Sequence, residues 1–351
     1  MNNELNTDAH LLQTTVIAST DLNRVHHADF LNNNLPDKCA KLIIADPPYY
    51  KVKGEFDFIW KTFEDYLKDV EKWAVECKRI LADNGTLLWY GDAKKIAYSQ
   101  IIFDKYFNLL SNVTCHIYDR QTNKIPADEA RSFINTTERI LMYSNEVDYT
   151  GLQEIQNDQT LYKQIRDYFV TERLKVNESL NLINKNAFGD KSGKDGMDGN
   201  ILSAYKKGWS FPTLEKYNKL QKTYNICLRP YEELRKEYDG LRKEYEDLLR
   251  PFNPTEQYKM DVLRVSQEGH ITGNYDHDTV KPEKLTRILI KTCSRENDLV
   301  IVPFAGSGTE CAMSAKENRP FIGYEITKKH VDMSNKRVKK ILDNPPLFAG
   351  L

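Results

Sequence analysis

"IIADPPYYK", residues 43–51, closes a hydrophobic run on an aspartate, two prolines and two tyrosines. An apolar run that stops on a carboxylate reads as a buried strand, and open parallel sheets bind their ligands beyond such carboxyl ends. Consecutive prolines fix the backbone and leave carbonyl oxygens without competing local donors. Asp46 can accept a hydrogen bond from an amino group, and Tyr49 offers a flat face to a planar base. Acceptor, exposed carbonyl and ring together form a clamp for a flat, amino-bearing heterocycle. A proline-braced turn with two packed tyrosines accounts for the same residues without any chemistry, so the flanking sequence has to decide.

Outward from this stretch, strand-like and helix-like segments alternate, the pattern of an α/β sheet. "KLIIAD" (41–46) is a buried strand, and "FEDYLKDVEKWAVECKRIL" (63–81) carries its apolar residues at helical spacing. "TLLWYG" (86–91), "NVTCHIYD" (112–119) and "ERILMYS" (138–144) read as further strands. Toward the other end, "KPEKLTRILIKTC" (281–293) is an amphipathic helix with Pro282 near its start, and "DLVIVPFAG" (298–306) is a strand entering a glycine turn. "RPFIGYEI" (319–326) is another strand, followed by a basic helix over 328–342.

The middle of the chain differs. "NAFGDKSGKDGMDGN" (186–200) reads as a long exposed loop. Beyond it, "LRKEY" at 234–238 recurs at 241–245, so that Tyr231, Leu234, Tyr238, Leu241, Tyr245 and Leu248 form a heptad seam between Pro230 and Pro251. A helical hairpin packed on its own domain, a homodimer contact and a DNA-facing element all suit that seam. Three heptads interrupted by Gly240 are short for an autonomous coiled coil. The resulting division is 1–150, an insertion over 151–258, and 259–351.

Composition bounds the function. The 351 residues carry a net charge of −1, so any nucleic-acid contact must come from a local patch. Six scattered cysteines without a CxxC pair argue against a zinc cluster or a disulfide framework and for a reducing cytoplasm. No metal site is expected. The N-terminus lacks the pattern of a signal peptide, and no apolar run reaches the roughly 20 residues of a membrane span.

A second strand end carries "VPFAGSGTE" (302–310), with Pro303, Phe304, Gly306, Ser307, Gly308 and Thr309 between strand and helix. Glycines there let backbone amides approach a ligand. It is not a P-loop, since the Lys-Ser/Thr pair is missing, and it lacks the third glycine of a dinucleotide fingerprint. A tight strand–helix turn alone would explain it. Glu325, followed by Ile326, then ends the next strand, where an acidic residue suits ribose hydroxyls. Together these point to an adenosine-containing cofactor.

The pair "ADPPYY" and "PFAGSGT" resembles the DNA amino-methyltransferases that use S-adenosylmethionine. With the catalytic motif ahead of the cofactor motif, the order resembles the permuted β class of that family. "HDTVKPEKL" (277–285) is similar to the family's H-x-T-x-K-P signature at His277, Thr279, Lys281 and Pro282, and "HADFLNNNLPDK" (27–38) supplies Asp29 and Phe30. "NTTERILMYS" (135–144) resembles a late strand of the same sheet. The resemblance spans residues 22–145 and 258–342 and implies a Rossmann-like class I methyltransferase sheet of about seven mostly parallel strands, circularly permuted, with helices on both faces. The DPPY form looks like the adenine-N6 kind, whereas cytosine-N4 enzymes more often carry SPPY. Two departures stand out. Val302 occupies the place of the aspartate in "DPFAGSGT", which would help hold the cofactor's methionyl end, and Glu310 replaces a second threonine.

The resemblance assigns a catalytic role to Asp46, Pro47, Pro48 and Tyr49, and cofactor contacts to Asp29, Phe30, Asp46, His277, Thr279, Lys281, Pro282, the turn residues Pro303, Phe304, Gly306, Ser307, Gly308 and Thr309, and Glu325 with Ile326. It implies double-stranded DNA as substrate, a flipped adenine as target, a cognate restriction endonuclease as a partner class, and the insertion as target-recognition segment. Lys51 and Lys53 flank the clamp, and Lys191, Lys194, Lys206 and Lys207 are candidate phosphate contacts, with a solvated face as the alternative. Cytosine-N4 methylation and a non-catalytic cofactor- or DNA-binding subunit are the competing readings.

Overall fold

The computed structural model describes residues 17–52, 58–117, 131, 133, 135–145, 162–189, 201–202, 209–266 and 280–343. Two compact units emerge, one of residues 1–147 with 250–351 and one of 148–249.

The first unit is an eight-stranded sheet: β1 (Arg24–His27), β2 (Ala40–Ala45), β3 (Leu81–Gly91), β4 (Asn108–Ile117), β5 (Thr137–Ser144), β6 (Val262–Val265), β7 (Val300–Val302) and β8 (Phe321–Glu325). Their order across the sheet is β1-β8-β7-β2-β3-β5-β4-β6. Only β5 runs antiparallel to its neighbours. The expected count of about seven is corrected to eight among the described residues. β1 and β6 are the strands sequence reasoning omits, for both are four-residue edge strands with an interrupted apolar pattern.

Both faces of the sheet are buried, as a mostly parallel sheet requires. Leu42, Ile44, Leu88, Tyr90, Val300 and Val302 face one core, whereas Ile43, Ala45, Leu87, Trp89 and Ile301 face the other. This period-two alternation explains why the strands read as continuous apolar runs. Helices α1 (Phe63–Ile80) and α2 (Ile96–Phe103) cover the second face. Thr62 caps α1 by accepting from the Asp65 amide, with Glu64 and Asp65 in the first turn and Lys78 and Arg79 in the last. Its stripe of Tyr66, Val70, Trp73, Ala74, Cys77 and Ile80 is buried, at roughly 1.5–3 kcal/mol for each large apolar side chain.

The helices α3 (Lys163–Leu174), α4 (Leu180–Phe188), α5 (Leu214–Tyr224) and α6 (Tyr231–Leu248) belong to the second unit. Phe169, Ile183, Tyr217, Leu220 and Leu234 are buried together at its centre, with Tyr231, Tyr238 and Leu241 packed against them. The first half of the heptad seam is therefore spent on the unit's own core.

On the first face lie α7 (Glu283–Cys293), α8 (Thr309–Lys316) and α9 (Lys328–Leu342). Asn335 of α9 accepts from the Val25 amide and donates to the Val25 carbonyl, each at 2.8 Å, which ties α9 to the edge strand β1. Among the described residues no helix is long and apolar enough to cross a membrane. All six cysteines are free thiols.

Candidate active site

β7 and β2 lie side by side and parallel, with Leu42 opposite Val300 and Ile43 opposite Ile301. From that pair the chain departs in opposite directions: β7 continues through α8 to β8, and β2 through α1 to β3. This is the switch point of a doubly wound sheet, where diverging connections leave a crevice beyond the strand ends. Asp46 follows the last residue of β2, and Pro303 the last residue of β7. The two motifs singled out in the sequence thus meet at the same edge of the sheet.

Asp46 is held from two sides. The Tyr49 hydroxyl donates to Oδ1, and the Lys281 ammonium lies 2.9 Å from Oδ2. Lys281 Nζ also stands 3.7 Å from Glu138 Oε2, 3.5 Å from the Tyr49 hydroxyl and 5.0 Å from the Tyr90 ring centre. Burial pushes the Lys281 ammonium down, but Asp46 and Glu138 outweigh it and the net displacement is upward. Lys281 is therefore a buried cation among carboxylates. Burial, then Asp46 and Glu138, push the Tyr49 hydroxyl well above the ordinary tyrosine range, so it stays a donor. Pro47 is buried, Pro48 and Tyr49 are partly buried, and each Asp46 oxygen keeps a lone pair for an incoming donor.

The glycine turn is shaped by two left-handed residues, Gly306 (φ 47°) and Gly308 (φ 74°). A Cβ on Gly308 would stand 2.7 Å from Ser334 Cβ, so this glycine also lets α9 close on the turn. Ser334 Oγ donates to the Gly306 carbonyl at 2.8 Å. Arg337, also from α9, donates to the Ser307 carbonyl and to Thr309 Oγ1, and pairs with Glu283 at 2.7 Å. Ser307 and Thr309 are buried, and Pro303 is buried beneath the turn.

Glu325 accepts from the Gly306 amide at 3.0 Å and from the Thr327 amide at 2.8 Å, which fixes its carboxylate beside the turn. Ile326 projects 64% exposed next to it, an apolar face at the strand end. Asp29 is exposed and caps its own turn by accepting from the Leu31 amide. Phe30, by contrast, is 1% exposed and packs against Phe304 and Tyr324, so its ring is already part of the core. Phe304 packs edge-on against Trp73 at 4.9 Å. Pro282 stands at the N-cap of α7 and positions Lys281 just before it.

His277, Thr279, Lys53, Lys191, Lys194, Lys206 and Lys207 lie outside the described residues. Lys51 is exposed, has a positive φ of 50°, and its ammonium lies 5.0 Å from the Tyr50 ring centre. Four residues at the site carry no assignment from the sequence: Tyr90, Glu138, Glu310 and Arg337. Tyr90 lies near the end of "TLLWYG", the one available signal for it. Arg337 is one basic residue among many in its helix. Glu310 was legible only as a departure from the threonine expected there.

A Rossmann-like sheet with a carboxylate clamp and a glycine turn at its switch point defines the class I methyltransferase architecture. The profile described as DNA methylase, of the N6/N4 methyltransferases, matches residues 40–336, and the chain belongs to that family. It is similar to the orphan methyltransferase M.BamHII of Bacillus amyloliquefaciens, 43% identical over 68 residues, which are 19% of this chain and 26% of that protein. It is similar also to the type II methyltransferase M.HinfI of Haemophilus influenzae, 40% identical over 73 residues, 21% of this chain and 20% of that one. The matched segments thus span about a quarter or less of these curated relatives. Among solved structures, the M1.HpyAVI–SAM complex aligns with a TM-score of 0.47 at 17% identity, covering 90% of this chain and 98% of that one. The cytosine-N4-specific PvuII DNA methyltransferase aligns with a TM-score of 0.48 at 13% identity, covering 91% and 89%.

Proposed function

We propose that this protein methylates the N6 amino group of adenine in double-stranded DNA, with S-adenosylmethionine as methyl donor. The observation that carries the reading is the position of Asp46. It ends the strand next to the glycine turn, at the switch point, inside an Asp-Pro-Pro-Tyr sequence.

The residues present suit that cofactor. Glu325 offers a fixed carboxylate to the ribose hydroxyls, and Ile326 offers an apolar face to the adenine. The buried Glu310 Oε1 and Tyr90 hydroxyl have no hydrogen-bond partner among the described residues, so unspent polar capacity remains in the neighbourhood of the clamp. When bound, the cofactor supplies a methyl group activated by its sulfonium.

The exocyclic nitrogen of adenine is a poor nucleophile because its lone pair is delocalised into the ring. Asp46 and the Pro47 carbonyl accept hydrogen bonds from that amino group and draw it toward tetrahedral geometry. The stabilisation grows as positive charge develops on the nitrogen, so it favours the transition state over the ground state. Lys281 holds the Asp46 carboxylate in place for an attack that depends on positioning. The nitrogen takes the methyl while the bonding pair returns to sulfur, and the surplus amino proton leaves along the hydrogen bond to Asp46 for solvent after transfer. The target base must leave the duplex, at a cost of a few kcal/mol, and stacking on Tyr49 returns roughly 1–3 kcal/mol of it. The helical unit of 148–249 and the exposed Lys51 are the proposed contacts to flanking DNA, and the recognised sequence is read there.

Tritiated methyl transfer to unmethylated duplex DNA, wild type beside Asp46→Ala, tests the reading. Incorporation by wild type and a loss of about a hundredfold or more in the variant is expected. Equal incorporation by both removes Asp46 from the mechanism. Digestion of the product to nucleosides and mass analysis separates N6-methyladenine from N4-methylcytosine, and the latter result overturns the adenine assignment.

A further inference from the structure

Glu310 is a buried carboxyl to which the mechanism above gives no part. It is the second residue of α8, is 4% exposed, and leaves Oε1 without a hydrogen-bond partner among the described residues. A buried acceptor left unsatisfied costs roughly 1–3 kcal/mol, so its retention asks for a reason. The Tyr90 hydroxyl is in the same condition. The Tyr90 ring centre lies 5.0 Å from the Lys281 ammonium that pairs with Asp46, and after burial the Glu310 carboxyl and then Asp46 push the Tyr90 hydroxyl up, so both orphan groups belong to the surroundings of the clamp.

Nearby cations are committed elsewhere. Lys281 serves Asp46 and Glu138, and Arg337 pairs with Glu283. Glu310 is the carboxyl of this cluster that forms no ion pair among the described residues. Burial, and then Asp46, push it up to about 7 against the opposing pull of its own amide, Lys281 and Arg337. A carboxyl in that condition ionises readily when a cation arrives.

Val302 is fully buried in the apolar core and presents no polar atom where the resembling pattern carries an aspartate. Glu310 departs from the same motif in the opposite sense, at the far side of the same strand–helix turn. One departure removes a carboxylate from the strand end, and the other places one in the first turn of α8.

We propose that Glu310, with the Tyr90 hydroxyl as a second acceptor, receives the α-ammonium of the cofactor's methionyl end, replacing the strand-end aspartate that Val302 displaces. The assignment rests on S-adenosylmethionine being the cofactor. An ammonium brings three donors and no acceptor, which complements a carboxylate and a hydroxyl that both lack partners. The contact is charge-assisted and lies in a site of low dielectric, where such hydrogen bonds are strong.

Calorimetric titration with S-adenosylhomocysteine and with its deamino analogue, which keeps adenosine, sulfur and carboxylate, isolates the ammonium. Glu310→Gln is expected to weaken S-adenosylhomocysteine about 10- to 100-fold and the deamino analogue by less than about threefold. Tyr90→Phe removes a single oxygen and is expected to weaken S-adenosylhomocysteine by about 3- to 10-fold, again sparing the analogue. Adding Val302→Asp to Glu310→Gln restores a carboxylate from the strand side and recovers affinity for S-adenosylhomocysteine. Equal effects on both ligands, or no effect of Glu310→Gln on either, overturn the proposal and leave the cofactor reading standing. Failure of wild type to bind either ligand overturns both.

Discussion

The Lys281 ammonium lies 2.9 Å from Asp46 Oδ2, and the lysine is 7% exposed. Two motifs from opposite ends of the chain are joined by this ion pair at the centre of the proposed site. The pair orients the carboxylate and supplies the positive charge that lets Asp46, Glu138 and Glu310 share a small volume. It also explains how a lysine can be buried next to the site of a cationic cofactor: its charge is already spent on carboxylates.

Removing Lys281 should therefore cost more than a surface charge would. Lys281→Met leaves Asp46, whose side chain is 19% exposed, without its counter-ion, and the cost lies somewhat below the roughly 3–5 kcal/mol of a fully buried pair. Urea denaturation of the variant should show that loss, and Asp46→Asn added to Lys281→Met should recover a good part of it. A single variant as stable as wild type, or a double variant no better than the single, would show that the pair is not coupled.

Tyr49 has two separable contributions. Its hydroxyl donates to Asp46 and its ring is the proposed stacking face. Tyr49→Phe keeps the ring, whereas Tyr49→Ala removes both. In kcat/KM for DNA methylation, the alanine variant is expected to lose about 5- to 150-fold, the equivalent of roughly 1–3 kcal/mol of stacking, and the phenylalanine variant much less. Equal losses in the two would assign Tyr49 to orienting Asp46 and not to the base.

Much of this arrangement was legible in the sequence, for physical reasons. The central strands are buried on both faces and so appear as apolar runs, as in "KLIIAD" and "DLVIV". Strand ends carry the polar residues, which is why Asp46 and Glu325 stood out. The edge strands β1 and β6 are not legible in the sequence because half their residues face solvent and the runs are short. Phe30 was legible as a site residue only through resemblance, and its ring is fully packed against Phe304 and Tyr324. Glu138 and Tyr90 become site residues only through strand pairing: antiparallel β5 brings Glu138 to the carboxyl end of β3, beyond any reading of local spacing. The tyrosine seam of α6 was ambiguous because a self-packed helix and a dimer surface share one periodicity.

Gly308 tests whether the turn and α9 form one rigid element. Its φ of 74° is one that side chains rarely adopt, and a methyl group there would meet Ser334 Cβ at 2.7 Å. Gly308→Ala is expected to destabilise by about 2–3 kcal/mol, from left-handed strain of 1–2 kcal/mol plus displacement of Ser334. Ser334→Gly in the same chain should return only part of the steric cost, because Ser334 Cα itself would stand 2.9 Å from the new methyl, and it leaves the backbone part. Thermal unfolding that is unchanged in Gly308→Ala would show that α9 yields without cost.

Burial raises the Glu310 carboxyl from its ordinary 4.5 to about 7, with Asp46 reinforcing the effect and Lys281 and Arg337 opposing it. A folded-state value above the unfolded one means that the folded protein holds the proton more tightly. Its contribution to stability is complete below about 4.5 and is lost as pH rises through about 7. Glu310→Gln carries no titrating proton at this position, so it should gain on wild type between pH 5 and pH 8. A displacement of this size corresponds to about 3 kcal/mol. Tyr90 and Cys311, the other titratable neighbours, are raised by burial above their ordinary values and stay neutral across this window. Urea melts of both proteins at the two pH values measure the difference directly. Saturating S-adenosylhomocysteine should shrink it, because an ammonium beside Glu310 favours the ionised form that burial penalises. A stability difference that stays constant with pH would mean that Glu310 ionises as easily in the folded chain as in the unfolded one, and the carboxyl would then be solvated rather than held for a ligand.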